Sequence, residues 1–493
     1  MRFLLDTNIL IPLEDSQLPL KASLANFVRL SHANGHELIY HPASENDINR
    51  DSNELRKQQT LERLRQYSRL ENCPDCPWND NNTTPNDAAD NEILYAIYCD
   101  AAHALITEDH GIHQKAKLKG ISDKVYYIQT ADDWLRRLYE RVSVQLPNIE
   151  EIGLHSLVPV LNSNFFDSLR DGYPNFDDWF RSKARNGMKA WVVWDTPGVL
   201  GAICIYDIQT NEKITEEGLV LNGAALKLST FKVGETMRGR KIGELFLKAA
   251  FRFATLNHHE NIFIHGELDE HSFLFDLLED FGFENVGTHP GSTGRDVVYV
   301  KHHPTNPPPA SNIKPFDYFR KYYPHYHKDS HVKKFLIPIQ PEFHRILFPD
   351  YTSEHDKQLT LFQTTNNVGN AIKLAYLCHA QMKSINAGDI VFFYRSDDEQ
   401  SITSIGIVEQ YQILNDPSAI AQLVSRRTVY TMKDIENMAQ TDTRVMLFRL
   451  VKHFKSPVPY NWLLENKVIK GRIQSIQSIN QQAFESVIQH AGV

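Results

Sequence analysis

The stretch MRFLLDTNILI, residues 1–11, decides how the first part of this 493-residue chain is read. An apolar run breaks off in Asp6-Thr7-Asn8 and then resumes. That is the pattern of a short buried strand delivering polar residues to its C-terminal end. ALITED (104–109) repeats the pattern, and KVYYIQT (124–130) is another short strand, with amphipathic stretches between them. Strands alternating with helices predict a parallel sheet covered by helices. Ligands of such sheets bind beyond the C-terminal strand ends, so Asp6 and Asp109 are candidate site residues.

Two more acids belong with them. Asp90 opens the helix-like DNEILYAIYCDAAHA that feeds the ALIT strand, and Glu45 follows the turn HPAS at the start of another helix. Asp47 competes with Glu45, and Asp87 and Glu92 compete with Asp90. Carboxylates gathered from separate elements repel one another, and a divalent cation removes the repulsion. Hard oxygen ligands suit Mg2+ or Mn2+, which can activate water and stabilise charge on a phosphodiester. The bland alternative is a set of solvated acids at loop ends.

With these residues in place, positions 2–135 resemble a PIN-domain nuclease. The resemblance implies Asp6, Glu45, Asp90 and Asp109 as metal acids, with Asn8 and Thr107 as supports. It also implies a metal-dependent endoribonuclease, a homodimer through this domain, and an inhibitory protein partner of the toxin–antitoxin kind. A degenerate PIN fold would only bind RNA. Nearby, Cys73-x2-Cys76 has the spacing of half a zinc site, but a tetrahedral site needs two more ligands. A proline-rich loop explains the pair equally simply.

A second pattern follows. AWVVWD, GAICIYDI and ALKLSTFKV read as strands, then MRGRKIG turns into the helix GELFLKAAFRFATL. Backbone N–H groups at a helix start bind phosphate, and glycine lets a ligand approach. The turn RGRKIG, with FLFDLLEDFGFENVG some 30 residues on, resembles the acyl-CoA loop and Gly-Phe signature of GNAT N-acyltransferases over residues 150–300. The resemblance implies acetyl-CoA held by Arg238, Gly239, Arg240, Lys241, Ile242 and Gly243. The family's frequent acid tyrosine is Leu278 here, and its loop glycine is Lys241, which puts acyl transfer in doubt. His265 and Glu267 on IFIHGEL are candidates for deprotonating an amine.

The third pattern starts in HHPTNPPPASNIKP (302–315), whose five prolines predict a linker. Residues 301–335 carry a net +5 interleaved with Phe316, Tyr318, Phe319, Tyr322, Tyr323 and Tyr326. Such a stretch can stack on bases and hold phosphates, or act as glue between domains. Beyond it, DIVFFYRS, SITSIGIVEQY and RVMLFRLVKHF are short strands separated by turns, as in a small barrel. The Gly388-Asp389 turn, Gly406, Val408 and the run Arg426–Tyr430 resemble the PUA-like superfamily near its EVE and ASCH branches. The resemblance implies RNA binding, with Arg426, Arg427, Tyr430 and Tyr394 as candidates.

Composition limits the classes. A charge of −9, with 42% hydrophobic and 23% charged residues, excludes disordered, collagen-like and disulfide-scaffold proteins. No window is apolar enough to span a membrane, an acid at position 6 argues against a signal peptide, and five cysteines fit a reducing compartment, so the expectation is cytoplasmic. The expected domains are 1–145 (PIN-like α/β), 150–303 (GNAT-like mixed sheet with helices), a 304–332 linker, and 333–493 (PUA-like β-barrel). The leading expectation is an endoribonuclease with acetyl-CoA-binding and RNA-binding domains. RNA is its partner, with tRNA as the target that suits all three by analogy. The alternatives are an N-acetyltransferase whose other parts only bind, and a non-catalytic RNA-binding regulator.

Overall fold

The opening apolar run forms β1 (Arg2–Leu5), the central strand of a five-stranded sheet ordered β3-β2-β1-β4-β5. The computed structural model describes the chain except residues 15–21, 51–52, 79–84, 141–147, 235–236, 238–240, 293–294, 310–311, 352–371, 383, 426, 428–429 and 493. For residues 14, 47, 56, 85, 86 and 268–273 it describes the backbone alone. The chain divides into two compact units, residues 1–143 with 413–443, and residues 144–412 with 444–493.

In the first unit β1 is followed by α1 (Thr7–Glu14), α2 (Ala22–Ala33), β2 (Glu37–Tyr40), α3 (Pro42–Asn49), α4 (Glu54–Leu64), β3 (Ser68–Arg69), α5 (Pro85–Tyr98), β4 (Ala104–Ile106), α6 (His110–Leu118), β5 (Val125–Tyr126) and α7 (Ile128–Tyr139). All its strand pairings are parallel. Both faces of β1 are covered. Leu4 joins Ile93, Leu94 and Ile97 of α5, while the Phe3 ring lies 5.3 Å from Phe27 of α2 and 5.6 Å from Trp134 of α7. Helix α7 is amphipathic, burying Ala131, Trp134, Leu135 and Leu138 at the spacing of one helical face. The chain runs from β1 outward to β3, then crosses back to β4 and β5. That reversal puts a topological switch point between β1 and β4, the position where open sheets bind ligands.

The second unit begins with β6 (Glu150–Gly153), α8 (Asp167–Gly172), α9 (Phe176–Arg185), β7 (Lys189–Thr196), β8 (Val199–Thr210), β9 (Ala224–Val233), α10 (Ile242–Asn257), β10 (Asn261–Glu267), α11 (Leu268–Asp280), β11 (Glu284–Thr288) and β12 (Asp296–His302). Its seven strands run β11-β12-β10-β9-β8-β7-β6. Its strand pairings are antiparallel except β9 with β10, which the α10 crossover makes parallel.

Next come α12 (Pro315–Tyr322), β13 (Lys334–Ile339), α13 (Pro341–Leu347), β14 (Lys373–Cys378), β15 (Ile390–Arg395), β16 (Ser401–Leu414), α14 (Pro417–Val424), α15 (Met432–Met438), β17 (Thr443–Pro459), α16 (Tyr460–Glu465), β18 (Gln477–Ile479) and α17 (Gln481–His490). The strands form a six-stranded sheet, β14-β17-β16-β15-β13-β18.

Two features differ from the sequence expectation. The α14–α15 excursion lies in the first unit rather than with the C-terminal sheet. There the Ser425 hydroxyl sits 2.7 Å from Tyr126 Oη, and Gln422 Nε2 donates to the His103 carbonyl at 2.7 Å. The proline-rich segment, expected as a linker, is packed into the second unit. Tyr318 donates to the Pro308 carbonyl at 2.7 Å, and Tyr318, Phe319, Tyr323 and Tyr326 are all buried. These aromatics act as glue, and one hydrophobic core runs from Phe251 and Phe281 through Phe319 and Tyr323 to Leu336 and Phe392.

Glycines make this packing possible. A Cβ on Gly282 (φ +81°) would lie 2.4 Å from the Arg320 carbonyl, and one on Gly388 (φ +91°) 2.5 Å from Pro315 Cβ. Helix α12 therefore rests on two turns that only glycine fits. Its C-terminal carbonyls at Arg320 and Lys321 accept bonds from buried Lys301. Burial, with Arg449 nearby, pulls the Lys301 pKa down to about 7. Arg449 of β17 reaches Asp280 at the end of α11 (2.7 Å) and Glu409 of β16 (3.0 Å), and it lies over the Phe281 and Phe316 rings. Burial opposes ionisation of Asp280, but Arg449 and Lys373 outweigh it and hold the carboxyl well below its usual range.

Arg449→Met leaves both carboxylates without this cation. It is expected to destabilise the second unit by about 3 kcal/mol, read by urea denaturation. Adding Asp280→Leu should recover part of the loss. An unchanged transition in the single variant would mean the ion cluster does not hold the two sheets together.

Candidate functional site

Asp6 leaves β1 at the switch point and is buried, 6% exposed. One carboxylate oxygen accepts the Thr7 N–H at 2.7 Å, and the other accepts the Thr107 hydroxyl at 2.6 Å from the end of β4. The Thr107 hydroxyl in turn accepts from Asn8 Nδ2 (3.1 Å) and the Asp109 N–H (3.0 Å), while Asn8 Oδ1 takes the Glu108 N–H at 3.1 Å. The ends of β1 and β4 are thus laced together through the two residues expected as supports. Asp109 is exposed and caps α6, accepting the Ile112 N–H at 3.1 Å.

Burial drives the Asp6 pKa up to about 6. The Thr107 and Thr7 hydrogen bonds oppose the rise, whereas the charges of Asp90 and Asp109 add to it. Those two carboxylates therefore act on Asp6 electrostatically. Asp90 is paired with Lys115 of α6 at 2.8 Å, and Lys115 also reaches Asp87 at 3.0 Å. Lys115 is a participant the sequence reading missed; a lysine five residues into a helix opened by Asp109 carries no motif of its own.

Glu45, expected as the fourth metal acid, is committed elsewhere. Its Oε1 accepts from the Tyr40 hydroxyl at 2.9 Å and Arg69 Nε at 3.1 Å. No three of the four carboxylates offer oxygens within 4.8 Å of one another among the described residues. The physical reason is charge. Like-charged carboxylates repel, and Asp90 and Glu45 are paired instead with Lys115 and Arg69. Cys73 and Cys76 donate to the carbonyls of Leu70 and Asn91, each at 3.4 Å, so both behave as local thiols.

In the second unit, β9 and β10 pair only up to Leu228 and Ile264, although β9 continues to Val233 and β10 to Glu267. A register shift at Ser229 bends β9 where the two strands part. The gap opens at the strand ends where the turn into α10 lies. Of the acyl-CoA residues, Arg238, Gly239 and Arg240 lie outside the described residues. Lys241 adopts a left-handed conformation (φ +57°), and its ammonium donates to the Lys373 carbonyl at 3.1 Å. Ile242 is buried in the core, and a Cβ on Gly243 would fall 2.8 Å from Leu277. His265 points away from α10, because it alternates with the core residue Ile264. It bonds Asp296 at 3.0 Å and stacks on His289 at 3.7 Å. Burial first, then Lys227 and His289, pulls its pKa down to about 4. Glu267 ends β10 opposite Asp296.

The RNA-contact candidates divide between the two units. Arg426 lies outside the described residues. Tyr394 is in the second unit's core and Tyr430 is buried in the first, each 5% exposed, so neither ring is open for stacking. Arg427 is half-buried at the end of α14. No described helix is long and apolar enough to cross a membrane.

Asp6 supplies a pH test. Its folded pKa of about 6 exceeds the ordinary 3.8, so its ionised form costs stability above pH 6, and that cost vanishes below about pH 4. Asp6→Asn keeps one of the two accepted hydrogen bonds, because an amide nitrogen cannot accept, but it removes the buried charge; a stability gain relative to wild type of up to about 3 kcal/mol should therefore open between pH 4 and pH 8 in EDTA. The gap should close as pH falls from 6 to 4, measured by thermal denaturation. A gap independent of pH would remove the electrostatic reading of the site.

A search of curated proteins finds no match to the chain. Among solved structures it is similar to ASCH from Zymomonas mobilis, at 12% identity over 32% of this chain and 94% of that one, with a TM-score of 0.24. It is also similar to a protein from Desulfovibrio desulfuricans assigned to the GNAT acetyltransferases, at 10% identity over 31% and 98%, with a TM-score of 0.26. A third is PH1933 from Pyrococcus horikoshii, at 19% identity over 32% and 99%, with a TM-score of 0.24. Residues 373–490 match the family described as EVE domain, and this part of the chain is a PUA-like EVE domain.

Proposed function

We propose that the first unit is a metal-dependent, PIN-like phosphodiesterase acting on RNA. The observation that carries this reading is Asp6, buried at the switch point with its pKa raised by burial and by the facing charges of Asp90 and Asp109. A buried carboxylate whose pKa is raised to about 6, with hard oxygen donors opposite, fits a divalent cation such as Mg2+ or Mn2+. Asp6, Asp90 and Asp109 would hold it, and it would supply an activated water and charge stabilisation at the phosphodiester. Thr107 and Asn8 orient Asp6 and the turn carrying Asp109. Lys115 neutralises Asp90. Glu45 stays with Arg69 and Tyr40, so three acids carry the site.

The EVE domain would select or hold the RNA. A further reading, acyl-CoA binding by residues 150–303, rests on the parting of β9 and β10 beside the start of α10. Leu278 cannot donate a proton and His265 turns away from α10, so binding is the part of this reading that the residues support.

With labelled tRNA and mRNA, cleavage is expected in Mg2+ or Mn2+ and not in EDTA. Asp6→Asn/Asp109→Asn should lose about 100-fold or more of the rate. Equal cleavage by that variant, or none with either metal, would leave an RNA-binding regulator as the better description. Calorimetry with acetyl-CoA should give saturable heat, and its absence would end the acyl-CoA reading.

A further inference from the structure

Between α12 and β13 the chain runs HYHKDSH, residues 325–331. His327, Asp329 and His331 there bring one ligand atom each to within 4.8 Å of one another. They are the one such set of three or more among the described residues. His327 Nδ1 is 3.5 Å from Asp329 Oδ2, and His331 Nδ1 is 3.9 Å from the same oxygen.

His327 sets this cluster apart from a chance grouping. The residue is 6% exposed, its ring packs edge-on against Tyr318 at 4.3 Å, and neither ring nitrogen has a hydrogen-bond partner. A buried imidazole with two unmet polar atoms carries a desolvation cost that a ligand would offset. Asp329 and His331 have exposed side chains and can swing toward it. Neighbouring cations are held on other atoms. Lys334 donates to the Asp329 backbone carbonyl and to Gln481, and Lys328 lies over the Tyr326 ring.

We propose that His327, Asp329 and His331 form a site for a borderline transition-metal ion, Zn2+ before others. Two imidazoles and one carboxylate are a ligand set of that class, with a fourth position left to water. Ligands around a tetrahedral ion with bonds of about 2.0–2.1 Å stand a little closer together than these atoms do. Small side-chain movements of Asp329 and His331 supply the difference. The ion would pin the segment following α12 to the start of β13, where the two sheets of the second unit share their core. Its role is structural, and it is separate from the carboxylates around Asp6.

The test uses the full chain, stripped with chelator and titrated with Zn2+ by calorimetry. Asp329→Asn and His331→Gln alter exposed side chains, and their metal-free melting should match wild type. Wild type and Asp6→Asn/Asp109→Asn are expected to share a Zn2+ site that is weakened at least tenfold in both His331→Gln and Asp329→Asn. Zn2+ should raise the melting temperature of wild type but not of those two variants. Co2+ in the site should give visible d–d absorption that disappears in His331→Gln. Absence of Zn2+ binding by wild type, or binding unchanged in both ligand variants, would overturn the proposal.

Discussion

A guanidinium cannot be buried without company, and Arg449 shows what that demand does to a fold. Its partners come from β16, from α11 and from two aromatic rings. Satisfying it requires the end of α11 and the six-stranded sheet to meet at one point. Lys373 and the Lys241–Lys373 hydrogen bond reinforce the same junction. Buried ion clusters of this kind add little net stability over apolar packing, but they penalise every arrangement that leaves a member unpaired. Two sheets that read as separate domains in the sequence therefore share a core.

Helix α12 follows from that constraint. With the sheets joined, the helix fills the remaining groove, its aromatics inward and its N- and C-terminal ends seated on Gly388 and Gly282. The locally basic character of residues 301–335 has a corresponding explanation. Lys301 and Lys334 are buried with their ammonium groups on carbonyl oxygens, so part of the positive charge caps backbone groups rather than facing solvent.

The carboxylate site obeys a different rule. There the sheet topology brings Asp6 and the Thr107–Asp109 turn together, and electrostatics decides what happens next. Asp6 is raised toward neutrality, Asp90 takes Lys115, and Glu45 takes Arg69. The site is a set of like charges in which two of the acids are paired with basic side chains.

Local pattern alone determined several things. The breaks at Asp6 and Asp109, the strand–helix alternation around them, the helix α10 and the Gly388-Asp389 turn were all legible, because strand ends, caps and glycine turns depend on residues within a few positions. Thr107 and Asn8 entered as supports only through the PIN-domain resemblance. Only tertiary structure decided that Glu45 turns to Arg69, that Lys115 joins Asp90, that Tyr394 and Tyr430 are buried, and that α14 and α15 belong with the first unit. An amphipathic face or an aromatic residue states that it will be covered, and a charge that it needs a partner. Neither states by what. That choice is made by non-local packing and by which opposite charge the topology places within reach.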